Sequence, residues 1–263
     1  SICFSYGVFL ISFRIMIRTY EQELYQTNAA LLNHVSSPIS ADMDAIETIS
    51  YNILTDSGIQ EQLTLLADSP ENSRLALVRR DLYESLYPYT FYNDYIESIN
   101  LLLPVGTHIC MGNSFDIQRF SIPSLEEKSD AAKGRVIWMP ETHPGNYTVC
   151  GRQIRQIKFL KLNKLASLYI VIDLEGMITD CLIDAGYSPE NAQFVLTDNG
   201  TRIYPEYAFH DEFCSRLAQE SAGTQSSYRI ESIDGQKNFI TTGHIPRTGW
   251  QFLYFRDYHL IFS

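Results

Sequence analysis

The sequence predicts an α+β fold, in which a long N-terminal helix precedes two antiparallel-sheet units joined in series. Three observations predict it. From Arg14 to Leu54 the chain has little Gly and an apolar stripe at three- and four-residue steps. After Tyr95 it changes to short apolar runs separated by turn signals. Those runs fall into two sets on either side of Gly186-Tyr-Ser-Pro.

The stripe consists of Leu24, Leu31, Val35, Ile39, Met43, Ile46, Ile49 and Ile53, with one turn missing near residue 28. Pro38 interrupts it and is expected to kink the helix or split it in two, because proline has no N–H for the intrahelical bond. A shorter helix follows with Ile59, Leu63 and Leu66 on one face. Asp68-Ser-Pro ends it, and Ser69 before Pro70 suits the start of a third helix carrying Leu75, Val78, Leu82 and Leu86.

Ile96–Leu103 is a short strand closed by Pro104-Val-Gly, and Thr107–Met111 returns from that turn. Ser121–Lys133 is polar and reads as a loop with a helical turn. Gly134–Met139, Asn146–Phe159 and Ala166–Leu174 are three more strands, and a short helix from Leu174 to Asp184 closes the first unit. In the second unit Asn191–Thr197 runs through Asp198-Asn-Gly into Thr201–Tyr204, a strong hairpin signal. Phe209–Glu220 reads as a helix. Tyr228–Ile233 and Asn238–His244 flank a second hairpin turn at Asp234-Gly-Gln, and Gly249–Arg256 is the last strand.

Residues 1–13 are uncharged and almost wholly apolar. They are fewer than the roughly 20 residues a membrane span requires, and read as the end of a transmembrane helix. A signal-peptide remnant and a buried core helix are the alternatives. The final YHLIFS opens as a second apolar segment at 259–263. The expected organisation is therefore 1–13 membrane helix end, 14–71 helical stalk, 72–185 first sheet unit, 186–258 second sheet unit, and 259–263 the start of a second membrane-proximal segment.

Composition excludes several roles. The 263 residues are 45% hydrophobic and 19% charged, enough apolar material for packed cores. The net charge of −11 leaves no basic footprint for nucleic acid and argues against an amphipathic helix that binds anionic lipid. The five cysteines show no CxxC spacing, so neither a disulfide framework nor a zinc site is legible. They read as unpaired, mostly buried thiols; Cys110 and Cys150 are the one pair worth testing, because both fall in predicted strands. The 14 glycines never cluster as GxGxxG or GxxxxGK, and the six histidines are scattered singly. There is no HExxH and no GxSxG elbow. The chain is expected to have no catalytic residue, no metal and no cofactor.

What remains is a candidate binding surface. Tyr147, Arg152 and Arg155 lie on one predicted strand, Trp138 on the strand before it and Asp173 at the end of the strand after it. An aromatic ring, a guanidinium and a carboxylate on one sheet face can hold a small polar or zwitterionic molecule. Strand periodicity divides them. Tyr147, Gly151, Gln153 and Arg155 share one face, and Arg152 shares the other with Thr148 and Cys150. The plainer alternative is a core Trp138 and solvated arginines.

The order of these parts resembles the double-Cache sensor domain, a pair of PAS-like units found outside the membrane in bacterial receptors. GRVIWMPE is similar to the third strand of the membrane-distal unit, and CGRQIRQIKFLKLNKLASLYIVIDLEGM to its fourth and fifth strands and connecting helix. AQFVLTDNGTRIYP is similar to the opening hairpin of the membrane-proximal unit, and KNFITTGHIPRTGWQFLYFRD to its closing hairpin. The long helix, the RQIR strand and the IDLEGM turn most resemble sensor histidine kinases of Gram-positive bacteria.

The resemblance implies an extracellular domain of a membrane-anchored two-component receptor, homodimeric in the full-length protein. It would bind a small molecule in the distal unit, in or near Trp138, Tyr147, Arg152, Arg155 and Asp173. The ectodomain of a chemoreceptor or of a membrane-bound transcription regulator is the alternative, as is a protein-binding module without a small ligand. In the family, one amino-acid-binding pattern combines Arg-x-Trp-aromatic, a later Tyr and an Asp after the fifth strand. Tyr147 and Asp173 match it, whereas Arg135-Val-Ile-Trp138 has one extra residue and is followed by Met139.

Overall fold

The computed structural model describes residues 2–68, 75–104, 106–113, 116–141, 146–157, 163–186, 194–205, 214, 216–217, 227–233 and 235–258. Helix α1 (Ile2–Thr55) is one continuous element that runs through Pro38. The expected split into two helices is therefore corrected. Val35 and Ile39, on either side of the proline, are both fully buried. Packing of that stripe holds the helix across the one backbone bond that proline cannot make. All eight apolar residues of the expected stripe are buried. The missing turn is Asn28, itself buried, whose amide donates to Thr241 Oγ1 at 3.4 Å.

The chain divides into two compact units. One comprises 39–180 and 203–208, and the other 1–38, 181–202 and 209–263, so α1 contributes to both. In the first of these, α2 (Ser57–Asp68) and α3 (Leu75–Leu86) accompany a five-stranded sheet. Its strands are β1 (Ile96–Leu102), β2 (His108–Gly112), β3 (Ile137–Pro140), β4 (Tyr147–Arg155) and β5 (Lys164–Asp173). They lie in the order β2-β1-β5-β4-β3, with antiparallel neighbours throughout. Helix α5 (Leu174–Asp184) follows β5 directly.

The loop with a helical turn expected at Ser121–Lys133 is corrected to a full helix, α4 (Ile122–Ala132). Ser121 caps it with its side-chain oxygen, Pro123 occupies its first turn, and Lys133 closes it in the left-handed conformation. Its buried residues are only Leu125, Ser129 and Ala132. That stripe is too narrow and too polar to stand out in the sequence.

Register fixes the two faces of this sheet. Ile99, Leu101, Cys150, Ile154, Leu168, Ile170 and Ile172 share one face and are buried. Trp138 lies directly across from Cys150 on that face. Glu47 and Ser50 of α1 adjoin the Cys150 thiol, which burial pushes up to about 12. The opposite face carries Asn100, Tyr147, Val149, Gly151, Gln153, Ser167, Tyr169, Val171 and Asp173. Cys110 lies across from Asn100 on this second face, so Cys110 and Cys150 point to opposite sides of the sheet and form no disulfide.

The other unit holds β6 (Phe194–Asp198), β7 (Thr201–Tyr204), β8 (Ser227–Ile233), β9 (Gln236–His244) and β10 (Gln251–Asp257). Their order, β7-β6-β10-β9-β8, repeats the topology of the first sheet strand for strand. Asn199 (φ 48°) and Gly200 (φ 83°) make the two-residue turn that the Asp-Asn-Gly signal predicts. Leu24 of α1 packs on Phe239, and the Tyr25 ring of α1 meets that of Tyr228 at a tilt of 37°, with centroids 5.1 Å apart. Most of the expected helix Phe209–Glu220 lies outside the described residues, and so does the start expected at Ser69-Pro70; Cys214 and Leu217 are buried.

A Cβ on Gly151 would stand 2.8 Å from the Tyr169 ring and 3.1 Å from Ile137. Gly151→Ala is expected to destabilise the chain by about 1–3 kcal/mol through overpacking. Ile46→Ala, at a fully buried position of α1, is expected to cost about 2–5 kcal/mol. Urea unfolding of both variants checks the two values, and an unchanged midpoint for Gly151→Ala would mean that the Tyr169 ring does not rest on this backbone.

Candidate ligand-binding site

The face of the first sheet turned away from Trp138 and Cys150 is covered by residues 116–132. A 3-10 turn (Asp116–Arg119) leads through Phe120 into α4. Ile117, Phe120 and Leu125 of this cover pack with Met139, Val149, Tyr169 and Val171 of the sheet, and Tyr147 borders the cluster. The centre of the covered face is therefore apolar, and its two ends are polar.

At one end, Tyr169 donates its hydroxyl to Glu126 Oε1 at 2.7 Å. Lys164 Nζ lies 2.5 Å from Glu126 Oε2 and 3.0 Å from Asp130. Gln153 donates to Asp130, and Arg155 donates twice to Gln153 Oε1, at 3.0 and 2.7 Å. Burial alone would raise the Glu126 carboxyl, but hydrogen bonds from Lys164 and Tyr169 outweigh it and hold the group below its ordinary value. Burial also raises the Tyr169 hydroxyl, and its bond to Glu126 raises it further. This network ties α4 to β4 and β5.

At the other end, Tyr147 and Asp173 sit directly opposite each other on β4 and β5. The Arg119 guanidinium lies 4.5 Å from the centre of the Tyr147 ring, a cation–π distance, and 3.7 Å from Glu141. Asp173 also caps α5, accepting from the Gly176 N–H at 2.9 Å. A Cβ at Gly176 would collide with that carboxylate at 2.4 Å. A carboxylate, an aromatic ring and a guanidinium thus converge where β4 begins and β5 ends.

The five residues singled out in the sequence are not brought together. Trp138 and Arg152 lie on the opposite face. There the Trp138 indole donates to Glu47 of α1 at 2.8 Å, and Arg152 approaches the Tyr51 ring at 5.9 Å. Burial lowers the Arg152 pKa, and the nearby Cys150, Glu47 and Tyr51 work against that. Arg155 shares a face with Tyr147, but eight residues of strand separate them, about 26 Å at the usual rise. Tyr147 and Asp173 do meet. Arg119, which completes their cluster, went unseen because a single arginine in a polar stretch carries no spacing signal. Among the described residues, no three His, Cys, Asp or Glu side chains gather as a metal site would require.

The sign of Glu126's contribution follows from its lowered pKa. Its stabilisation is present above the unfolded-state value and is lost as pH falls through the folded one. Glu126→Gln is expected to lower stability at neutral pH by about 1 kcal/mol, the partly exposed site reducing the usual value of a charged hydrogen bond. It should also flatten the acid limb of a stability–pH profile measured by urea unfolding. An acid limb identical to wild type would remove Glu126 from the account.

No family model matches the chain. It is 24% identical over 234 residues to the sensor histidine kinase YesM of Bacillus subtilis (strain 168); the match covers 89% of the chain and 40% of that protein. The chain thus spans about 40% of the length of the curated relative it matches. Among solved structures, it is similar to the ligand-binding domain of the Campylobacter jejuni chemoreceptor Tlp3 in complex with L-norvaline. The TM-score is 0.61 at 10% identity, covering 92% of this chain and 94% of that one. The ligand-binding domain of Mlp24 with asparagine gives 0.56 at 12% identity, covering 95% and 97%. The extracellular domain of the putative histidine kinase soHK1S-Z6 gives 0.55 at 11%, covering 94% and 98%. With its long leading helix and two sheets of identical strand order, the chain has the double-Cache fold of these sensor domains.

Proposed function

We propose that the chain is the extracellular ligand-sensing domain of a membrane-anchored sensor histidine kinase. It binds a small molecule on the covered face of the first sheet and has no chemistry of its own. The observation that carries this reading is the convergence of Asp173, Tyr147 and Arg119 at the edge of an apolar, covered sheet face. A carboxylate suits an ammonium, a guanidinium suits a carboxylate, and an apolar floor suits a side chain. An α-amino acid has all three parts, and bound amino acids in Mlp24 and Tlp3 support that class. The similarity to YesM supports a kinase as the output.

Trp138 and Arg152 belong to transmission in this reading. The Trp138–Glu47 bond joins the sheet to α1, so a shift of β3 and β4 on ligand binding would move the long helix. The ligand biases a two-state packing by binding one state better than the other. Pairing of α1 with its copy in a homodimer would carry the shift through the membrane. Residues 6–16 support membrane anchoring, since Tyr6, Val8, Phe9, Leu10, Ile11, Phe13, Ile15 and Met16 are all exposed. No helix of the described residues is itself long and apolar enough to cross a membrane.

The test is a thermal-shift screen of the 263-residue chain against the proteinogenic L-amino acids. A subset is expected to stabilise it, by about 2.7 kcal/mol at a concentration 100 times the dissociation constant. Asp173→Asn keeps the helix cap, because Asn caps as well as Asp, but removes the charge. It and Arg119→Ala are each expected to abolish the shift, while Trp138→Phe keeps it. Undiminished shifts in both Asp173→Asn and Arg119→Ala would sink the site assignment.

A further inference from the structure

We propose that the groove between α1 and the β8–β9 hairpin is a lipid site, seating this unit on an anionic bilayer by taking up an acyl chain beneath a phosphate headgroup. The proposal rests on the reading that the start of α1 meets a membrane, and extends it to the folded unit itself. The groove has a volume of about 570 Å3, within the range of about 300–1,000 Å3 usual for small-molecule sites. Phe13, Met16 and Tyr20 of α1 form one wall, Gly235 and Lys237 of the hairpin another, and Tyr258 closes it.

Three features favour lipid over another protein surface. The exposed apolar residues of α1 include Val8, Phe9, Leu10 and Ile11, four successive positions that point to every side of the helix. A helix that met a second copy through one stripe would keep a polar face, whereas lipid surrounds a helix on all sides. The groove continues this belt directly at Phe13 and Met16.

The charges are complementary as well. Arg14 and Arg18 are the only charged residues among the first 18, and being four apart they share one helix face, adjoining the groove wall. Lys237 adds a third cation from the hairpin. In a chain of net charge −11, which an anionic surface would otherwise repel, these three cations give this end groups that attract a phosphate. Tyr20 and Tyr258 are amphipathic rings of the kind that collect at the membrane–water boundary. The Tyr258 hydroxyl donates to Glu21 Oε1 at 2.9 Å, fixing the polar tip of the ring on the side of α1 away from the apolar start.

The experiment uses the 263-residue chain with vesicles of phosphatidylcholine and phosphatidylglycerol that carry brominated acyl chains. Tyr258→Trp places a reporter in the groove, and wild type supplies the background of the two native tryptophans. The added indole is expected to be quenched by bromine near the headgroup end of the chain. Lys237→Gln is expected to weaken association with these vesicles about fivefold, the equivalent of about 1 kcal/mol per basic residue near an anionic surface, and to leave association with pure phosphatidylcholine unchanged. An unquenched indole in vesicle-bound protein would overturn the groove site while leaving anchoring by α1 intact. Failure of the wild-type chain to bind vesicles at all would overturn both. Protection of the indole from aqueous quencher by lipid-free dimerisation would assign the groove to a second copy and overturn the lipid reading.

Discussion

Strand β5 is buried on both faces and bonded on both edges, and the rest of the first unit is arranged around it. Every residue from Leu165 to Ile172 is buried, between β1 on one side and β4 on the other. Successive side chains on a strand must point to opposite faces, so this one run assigns two tasks. Leu168, Ile170 and Ile172 go to the face that carries Cys150 and Trp138, where α1 meets the sheet. Ser167, Tyr169, Val171 and Asp173 go to the face covered by α4. A one-residue slip would exchange the two sets. The separation of the face covered by α4 from the face that meets α1 is thus a property of the strand register.

The polar groups on the two faces have different consequences. On the helix face, the Trp138–Glu47 bond is a directional contact beside the apolar packing of α1 on the sheet. Apolar packing alone tolerates small sliding, but a hydrogen bond at 2.8 Å sets one position of α1 against β3. On the covered face, the charges of Glu126, Lys164 and Asp130 hold the cover down at one end, while Arg119 and Asp173 stand at the other. A cover held by a network of charges at one end and by Arg119 alone at the other is suited to admitting a small polar molecule at the Arg119 end.

Much of this was legible in the sequence, for physical reasons. The α1 stripe was legible because burial along one helix face leaves a 3.6-residue rhythm, and even its gap was informative, since Asn28 sits there with a buried partner at Thr241. The strands of the first sheet were legible as short apolar runs with a Pro104-Val-Gly turn, and those of the second because Asp198-Asn-Gly and Asp234-Gly-Gln mark its hairpins. Helix α4 was not, because a surface cover needs only Leu125, Ser129 and Ala132 inside, and its stability comes from the Ser121 cap and from contacts across the sheet. Pro38 misled because local propensity argued for a break that packing overrides. Of the site, the opposition of Tyr147 to Asp173 could be anticipated from antiparallel strands, but Arg119 joins them from a segment whose path the sequence pattern does not specify.

The central claim is that a small molecule binds between the first sheet and its α4 cover. Hydrogen–deuterium exchange of the 263-residue chain, with and without a mixture of the proteinogenic L-amino acids, tests it most directly. The account expects new protection confined to residues 116–132, the start of β4, the end of β5 and the first turn of α5, with the second sheet unchanged at its backbone amides. Protection centred on the second sheet, or none anywhere in a folded sample, would contradict it.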